Sequence, residues 1–69
     1  MVTFADRLKE LRLEKGLSQK LLADALGYNQ SMISFWENKI NEPTETAIRK
    51  AALYFEVSAD YLLGLTDEY

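Results

Sequence analysis

The sequence predicts an all-α fold, a compact domain of five short helices. Apolar residues recur three and four positions apart in successive segments, and each segment follows Thr, Ser or Asn, the residues that best cap a helix N-terminus. No segment keeps the apolar–polar alternation of a β-strand beyond a few residues. With 69 residues, 48% of them hydrophobic, we expect residues 1–69 to form a single domain around one small core.

The first helix begins after Thr3, a suitable N-cap, and Asp6 lies in its first turn, where a carboxylate complements the helix dipole. The apolar stripe of this helix consists of Phe4, Leu8 and Leu11. Lys15 and Gly16 follow the stripe, and a basic residue followed by glycine is typical of a helix end.

Ser18 caps a second helix, residues 19–26, and Gly27 ends it. Asn29 then caps a third helix, residues 30–38. Two short helices that meet at a glycine, with the apolar residues of both facing a shared core, form the pattern of a helix-turn-helix. The alternative is an ordinary small helical bundle, which also uses glycine at turns and alanine at helix crossings.

Pro43 prevents any helix from crossing the loop of residues 39–43, and Thr44 starts a fourth helix. Ser58 caps a short fifth helix, residues 59–63, which Gly64 closes. The residues expected to face inward on the fourth helix are Ala47, Ile48, Ala51, Ala52 and Phe55.

The composition excludes several classes of function. The chain has no cysteine and no histidine, which excludes disulfides, zinc fingers and Cys- or His-based catalysis. We therefore expect neither an enzyme nor a metal or other cofactor. No apolar run approaches the roughly 20 residues of a membrane span, so we expect a protein of the reducing cytoplasm, with no membrane partner and no small-molecule substrate.

The net charge of −3 is unusual for a protein that binds DNA through its phosphates. The charge is, however, distributed unevenly along the chain. Residues 1–20 hold five basic and three acidic residues, whereas residues 40–69 hold two basic and six acidic residues. This asymmetry allows the acidic half to lie away from DNA.

Several segments together carry a family resemblance: LKELRLEKGLSQ at 8–19, LADALG at 22–27, residues 30–38, EP at 42–43 and VSADYLLG at 57–64. With them the chain resembles the phage-repressor-like helix-turn-helix family, the group of Cro and the lambda-type repressors (XRE family). The resemblance covers nearly the full length. It implies a five-helix lambda-repressor-like domain that binds a two-fold-symmetric operator as a dimer, with its third helix in the major groove.

The resemblance assigns Gln19 to a DNA phosphate and Gln30 to a base edge, and a glutamine amide can bond adenine N6 and N7 together. For Gln30 the alternative is a solvated helix start. The other base contacts that the resemblance implies are Asn29, Ser31, Ser34 and Phe35. For Phe35 two interpretations stay open, an apolar contact with a thymine methyl group or packing against Tyr28 or the following loop.

The resemblance also implies an ion pair between Arg12 and Glu37 that bridges the first and third helices. The spare N–H groups of Arg12 would then reach a phosphate. The alternative is two solvated surface charges. Asn38 and Lys39 are the remaining phosphate contacts expected from the resemblance.

One departure from the family follows Glu37 and Asn38, where relatives usually have glycine and then basic residues. This chain has Lys39, Ile40 and Asn41 instead. Without the glycine we expect Asn38 or Asn41 to take the left-handed backbone position, and Lys39 to supply one cation for a phosphate. Fewer phosphate contacts predict a shallow dependence of DNA affinity on salt.

The C-terminal segment holds more apolar surface than a short helix can bury, in Tyr61, Leu62, Leu65 and Tyr69. We expect these residues to form a two-fold contact between copies of the chain in a homodimer. The alternative is that Tyr61 and Leu62 close the core.

These observations predict a sequence-specific regulator of transcription that binds double-stranded DNA and represses by occupying its operator. The alternative is a protein-interaction module of the same fold, such as an antitoxin or a regulatory subunit. The acidic charge and the apolar C-terminal end favour that alternative.

Overall fold

The computed structural model describes all 69 residues, and in it the chain forms five helices and no strand. The helices are α1 (Phe4–Glu14), α2 (Gln19–Leu26), α3 (Gln30–Glu37), α4 (Glu45–Phe55) and α5 (Ala59–Leu62). The predicted all-α fold and the order of its helices are confirmed, and the predicted ends of α3 and α5 differ from the observed ends by one residue. None of these helices has the length and apolar character needed to cross a bilayer.

Each helix begins after the cap that the sequence predicts. In every case the side chain of the N-cap accepts a hydrogen bond from a backbone N–H three residues later, and the five caps are Thr3, Ser18, Asn29, Thr44 and Ser58. Thr3 and Asp6 form a reciprocal capping box, in which Asp6 Oδ2 accepts from the backbone N–H of Thr3 at 3.0 Å. Because the caps satisfy N–H groups that have no partner within the helix, the helix starts are determined locally.

The core lies between the helices and contains 13 buried apolar residues. Its largest fully buried side chains come from α1, α2, α3 and α5 and are Leu8, Leu22, Ile33 and Leu62. On α4, Ala47, Ala51 and Phe55 are buried, and Ile48 and Ala52 pack half-buried against the same core. The inward face predicted for α4 is therefore confirmed.

Arg7 of α1 ties the C-terminal segment to the rest of the domain. Its guanidinium carbon lies 4.0 Å from the centroid of the Tyr61 ring, and Nη1 donates to Tyr61 Oη at 3.1 Å. Nη2 donates to the carbonyl oxygen of Thr66 at 3.3 Å and to Asp67 Oδ1 at 2.9 Å. Tyr61 Oη donates in turn to Glu10 Oε1 at 3.0 Å, so this cluster, in which Arg7 and Tyr61 are buried and Glu10 and Asp67 are exposed, joins α1 to the C-terminal segment.

The prediction that Tyr61 and Leu62 belong to a dimer contact is wrong. Both side chains lie in the core, 3% and 0% exposed, because α5 packs against α1 and α4. Leu65 and Tyr69 remain exposed, at 72% and 63%.

The exit from α3 also differs from the expectation. Lys39, rather than Asn38 or Asn41, takes the left-handed conformation, with a φ of +61°. Asn38 is the C-cap of α3, with φ −94° and ψ +7°, and the residue after the C-cap is the one that turns left-handed. Lys39 therefore occupies the position at which relatives usually have glycine.

Candidate nucleic-acid interface

Two side chains that enter the core set the orientation of α3. Ile33 is completely buried and Trp36 is 2% exposed. The Trp36 ring packs edge-to-face against Phe4 of α1, with ring centroids 6.1 Å apart, and against Tyr28, at 5.1 Å. Since residues three apart hold one face of α3 inward, the opposite face is directed to solvent.

The residues predicted to contact bases lie on or beside this outward face. They differ in exposure and in whether their side chains already form hydrogen bonds within the domain. Gln30 and Ser31 are exposed at the start of the helix. Asn29 is exposed but already acts as the N-cap, accepting the N–H of Met32 at 3.1 Å. Ser34 is half-buried, and its hydroxyl accepts a hydrogen bond from Asn38 Nδ2 at 3.2 Å.

Phe35 is 38% exposed on the outward side of α3. Tyr28, one of the partners considered for it, packs against Trp36 instead, with ring centroids 5.1 Å apart. This arrangement favours an apolar contact between Phe35 and a ligand over packing of its ring on Tyr28.

The turn between α2 and α3 depends on Gly27, which has a φ of +82° and donates its N–H to the carbonyl oxygen of Ala23 at 2.9 Å. Lys50 of α4 supports the same turn. Its Nζ donates to the carbonyl oxygen of Leu26 at 3.4 Å and lies 4.9 Å from the centroid of the Tyr28 ring. The local pattern around Lys50 gives no signal of this contact, because its partner Leu26 is 24 residues away.

The structure contains the ion pair between Arg12 and Glu37, and the pair joins α1 to α3. Arg12 Nε donates to Glu37 Oε2 at 2.7 Å and Nη2 donates to Oε1 at 3.0 Å, while Nη1 donates to the carbonyl oxygen of Leu17 at 2.9 Å. The hydrogen bonds to Glu37 raise the pKa of Arg12, although burial opposes that rise. The alternative of two solvated charges is wrong, because the side chains are only 10% and 4% exposed. Each of the three guanidinium nitrogens makes one hydrogen bond within the domain, and Nη1 and Nη2 each keep a second N–H group, so the expected contact of Arg12 with a phosphate stays a prediction.

Gln19, the first residue of α2, completes this network. Its Nε2 donates to Glu37 Oε1 at 3.2 Å, so one carboxylate oxygen accepts from both Arg12 and Gln19. The resemblance assigns separate roles to Gln19 and Glu37, and the sequence gives no signal of a contact between residues 18 positions apart.

A model of a helix-turn-helix family matches residues 8–62. The chain belongs to this family. The match agrees with the helix-turn-helix of α2 and α3 and with the resemblance to phage-repressor-like proteins.

This helix-turn-helix domain is similar to the HTH-type transcriptional regulator ImmR of Bacillus subtilis (strain 168), with 33% identity over 63 residues. That alignment covers 91% of this chain and 50% of ImmR, and the chain spans about half the length of the curated relatives it matches.

Two solved structures show the same fold bound to DNA. The P22 c2 repressor in complex with a synthetic operator superposes with a TM-score of 0.85 and 25% identity, covering 91% of this chain and 96% of the repressor chain. SinR, a master regulator for biofilm formation, in complex with DNA superposes with a TM-score of 0.79 and 30% identity, covering 87% of this chain and 97% of the SinR chain.

The cations near α2 and α3 in this helix-turn-helix domain have acidic neighbours. Lys39 is exposed beyond the end of α3, and its Nζ lies 3.9 Å from Asp6 Oδ1. Lys20, on the first turn of α2, pairs with Asp24 at 3.3 Å. Both pairs are solvent-exposed, so they are weak and a phosphate can replace either carboxylate.

Proposed function

We propose that this domain is a sequence-specific regulator of transcription that binds double-stranded DNA with α3 in the major groove. The observation that carries the proposal is the position of Gln30. It is exposed at the start of a helix whose opposite face is held in the core by Ile33 and Trp36. A helix oriented in this way presents its first residues to base edges.

Gln30 is the main base-reading residue in this proposal, because its amide can bond adenine through a donor and an acceptor together. Ser31 adds a hydroxyl, and Phe35 contacts a thymine methyl group. Asn29 and Ser34 contribute less, since each already has a hydrogen-bond partner within the domain.

Gln19 and Lys39 supply the main phosphate contacts, and the spare N–H groups of Arg12 add to them. Asn38 contributes less, since its amide nitrogen already donates to the carbonyl oxygen of Ser34 at 2.9 Å and to the Ser34 hydroxyl at 3.2 Å. Gln19 begins α2, where free backbone N–H groups and the helix dipole favour an anion. Lys39 is the one cation of this set whose charge is not already paired with a buried carboxylate. Each neutralised phosphate contributes a slope of about −0.9 to the plot of log affinity against log salt, so we expect a shallow dependence.

We also propose that the domain acts as a homodimer, repressing by occupation of a two-fold-symmetric operator. The 8 residues of α3 span about 12 Å, which is enough for one half-site. Leu65 and Tyr69 offer exposed apolar side chains for the contact between copies. Leu65→Asp should convert the dimer to monomer in sedimentation experiments. If the unaltered protein sediments only as a monomer at high concentration, with and without DNA, the dimer is excluded.

Selection from a library of random duplexes tests DNA recognition. We expect enrichment of a two-fold-symmetric site, and a loss of about 5- to 100-fold in affinity for that site when Gln30→Ala removes the base contact. Asp60→Ala is the control, because Asp60 is exposed on α5, away from α3, and its loss should not weaken binding.

The net charge of −3 favours a second candidate, a module of this fold that binds a partner protein rather than DNA. The same selection distinguishes the two candidates. If no duplex is enriched even at low salt, DNA recognition is excluded and the interaction module is favoured.

A further inference from the structure

We infer that Glu37 is a positioning residue for Gln19: its carboxylate holds the Gln19 amide in one orientation and leaves one N–H group free for a DNA phosphate. This inference rests on the proposed function and deepens it, since it identifies what orders the phosphate contact before DNA arrives.

The carboxylate of Glu37 is fixed on both sides. Oε1 accepts from Arg12 Nη2 at 3.0 Å and from Gln19 Nε2 at 3.2 Å, and Oε2 accepts from Arg12 Nε at 2.7 Å. The Glu37 side chain is only 4% exposed, so water has little access to these oxygens. Three helices meet at this carboxylate, because Arg12 belongs to α1, Gln19 to α2 and Glu37 to α3.

The chemistry of a carboxylate decides which way round the Gln19 amide lies. An ionised carboxylate only accepts hydrogen bonds, so it binds the amide nitrogen and repels the amide oxygen. If the amide turned over, Gln19 Oε1 would face Glu37 Oε1 with no hydrogen between them. The amide nitrogen carries two hydrogens, and the one that is not donated to Glu37 is left for a phosphate oxygen.

Arg12 makes this arrangement compatible with DNA. A lone carboxylate beside a phosphate would repel it, but the two charge-assisted hydrogen bonds from Arg12 neutralise Glu37. The network therefore contributes an oriented donor without adding a net negative charge at the phosphate.

The expected gain is one of preorganisation. Immobilising a flexible side chain on binding lowers affinity by about 3- to 10-fold, and a side chain already ordered in the free protein avoids much of that loss. Glu37 should therefore affect DNA affinity through Gln19, although it does not itself touch DNA.

A double-mutant cycle tests this coupling. The unaltered domain, Gln19→Ala, Glu37→Gln and the double variant are compared by fluorescence anisotropy on the duplex enriched by selection, at one salt concentration. Glu37→Gln also frees the charge of Arg12, but that effect is common to both Gln19 backgrounds and cancels in the comparison. We expect Glu37→Gln to be about 3- to 10-fold more harmful when Gln19 is present than in the Gln19→Ala background. Equal effects in the two backgrounds overturn the inference.

Gln30 supplies the matched control, because it also begins a helix but forms no hydrogen bond with Glu37. The cycle between Gln30→Ala and Glu37→Gln should show no coupling. Equal coupling in both cycles would mean that Glu37→Gln shifts α3 as a whole, and the inference would fail. If Gln19→Ala leaves affinity unchanged while Gln30→Ala weakens it, this inference fails and the proposed function stands. If the domain binds no duplex, both fail.

A measurement on the unaltered protein does not depend on whether Glu37→Gln folds. Gln19 and Gln30 are the only glutamines of the chain, so the order of both side-chain amides can be compared by ¹⁵N NMR relaxation. We expect the Gln19 amide to be the more ordered of the two in the absence of DNA. Equal order in the two amides overturns the inference.

Discussion

Lys39 and Glu56 are the non-glycine residues with positive φ, +61° after α3 and +57° after α4. A Cβ in this left-handed region costs about 1–2 kcal/mol, whereas glycine costs about 0.5–1 kcal/mol through the greater freedom of the unfolded chain. Lys39→Gly and Glu56→Gly should therefore each raise the free energy of unfolding by about 0.5–1 kcal/mol, or about 2–8 °C in melting temperature. Both residues are exposed, so neither change removes a buried contact.

The two substitutions should differ in their effect on DNA binding. Lys39→Gly removes a cation beside α3, so we expect weaker binding and a slope of log affinity against log salt that is shallower by about 0.9. Glu56 is the C-cap of α4 and carries no positive charge, so Glu56→Gly should not weaken binding or make the slope shallower. Thermal denaturation and anisotropy titrations over a range of salt concentrations measure both effects.

Lys39→Ala separates the backbone effect from the charge effect, because it removes the ammonium group but keeps a Cβ at positive φ. It should lose affinity as Lys39→Gly does, without the gain in stability. If neither glycine variant is more stable than the unaltered domain, the assignment of backbone strain is refuted. If Lys39→Ala and Lys39→Gly both retain the full salt slope, Lys39 does not contact a phosphate.

Further predictions concern stability, titration and base contact. In chemical denaturation, Gly64→Ala should destabilise the domain more than Gly27→Ala does. A Cβ at Gly64 would collide with the carbonyl oxygen of Val2, whereas at Gly27 only the flexible end of a side chain lies within 4 Å. The reverse order of stabilities would contradict this packing argument. Burial, aided by a hydrogen bond to a carboxylate, raises the pKa of Tyr61 from 10.0 to about 12, so an absorbance titration should show one tyrosine that ionises near pH 12 and is lost in Tyr61→Phe. Its contribution to stability is complete below pH 10.0 and is lost as pH rises towards 12, and ionisation of Tyr61 near pH 10.0 would contradict the raised pKa. Replacing the contacted thymine by uracil should lower the DNA affinity of the unaltered domain by about 4-fold, the contribution of one buried methyl group, but should not lower the affinity of the Phe35→Ala variant. Equal losses of affinity in the two proteins would exclude a contact between Phe35 and the thymine methyl group.

The helix starts and the core faces can be predicted because their signals are local. Ser18 accepts a hydrogen bond from the N–H of Leu21, three residues away, and the other caps act over the same distance. Each apolar stripe repeats within a single helix, so the pattern identifies the buried face without any knowledge of what covers it.

The exit from α3 can be predicted only in part. The missing glycine left two asparagines as candidates for the left-handed position, because asparagine tolerates it well. In the structure the hydrogen bonds that end α3 determine the position: Lys39 N–H donates to the carbonyl oxygen of Trp36 at 3.1 Å, and Ile40 N–H donates to that of Phe35 at 2.9 Å. These are the bonds of a Schellman motif, and its register places Lys39 in the left-handed region whatever its side chain prefers.

The sequence leaves the burial of Tyr61 and Leu62 open as one of two alternatives, because the contacts that decide between them are distant in sequence. Arg7, which covers the Tyr61 ring and donates to its hydroxyl, is 54 residues away. In the sequence Arg7 is one of several charged residues of the first helix, and no local pattern separates it from the solvated ones. The same limitation applies to the contact between Gln19 and Glu37.

The net charge of −3 predicts weak attraction to DNA. In the structure, however, the acidic residues of the helix-turn-helix are paired with basic ones. The acidic residues of α2 and α3 are Asp24 and Glu37, and they pair with Lys20 at 3.3 Å and Arg12 at 2.7 Å. The two helices of the motif therefore form a nearly neutral surface, while the other acidic residues lie elsewhere in the chain. Non-specific binding depends almost entirely on attraction to phosphates, and a neutral surface on an acidic domain provides little of it. Binding at a specific site also gains from the bases that Gln30 can read, so the low charge weakens non-specific binding more than specific binding. The acidic charge is thus consistent with selective DNA binding, because it widens the ratio of specific to non-specific affinity.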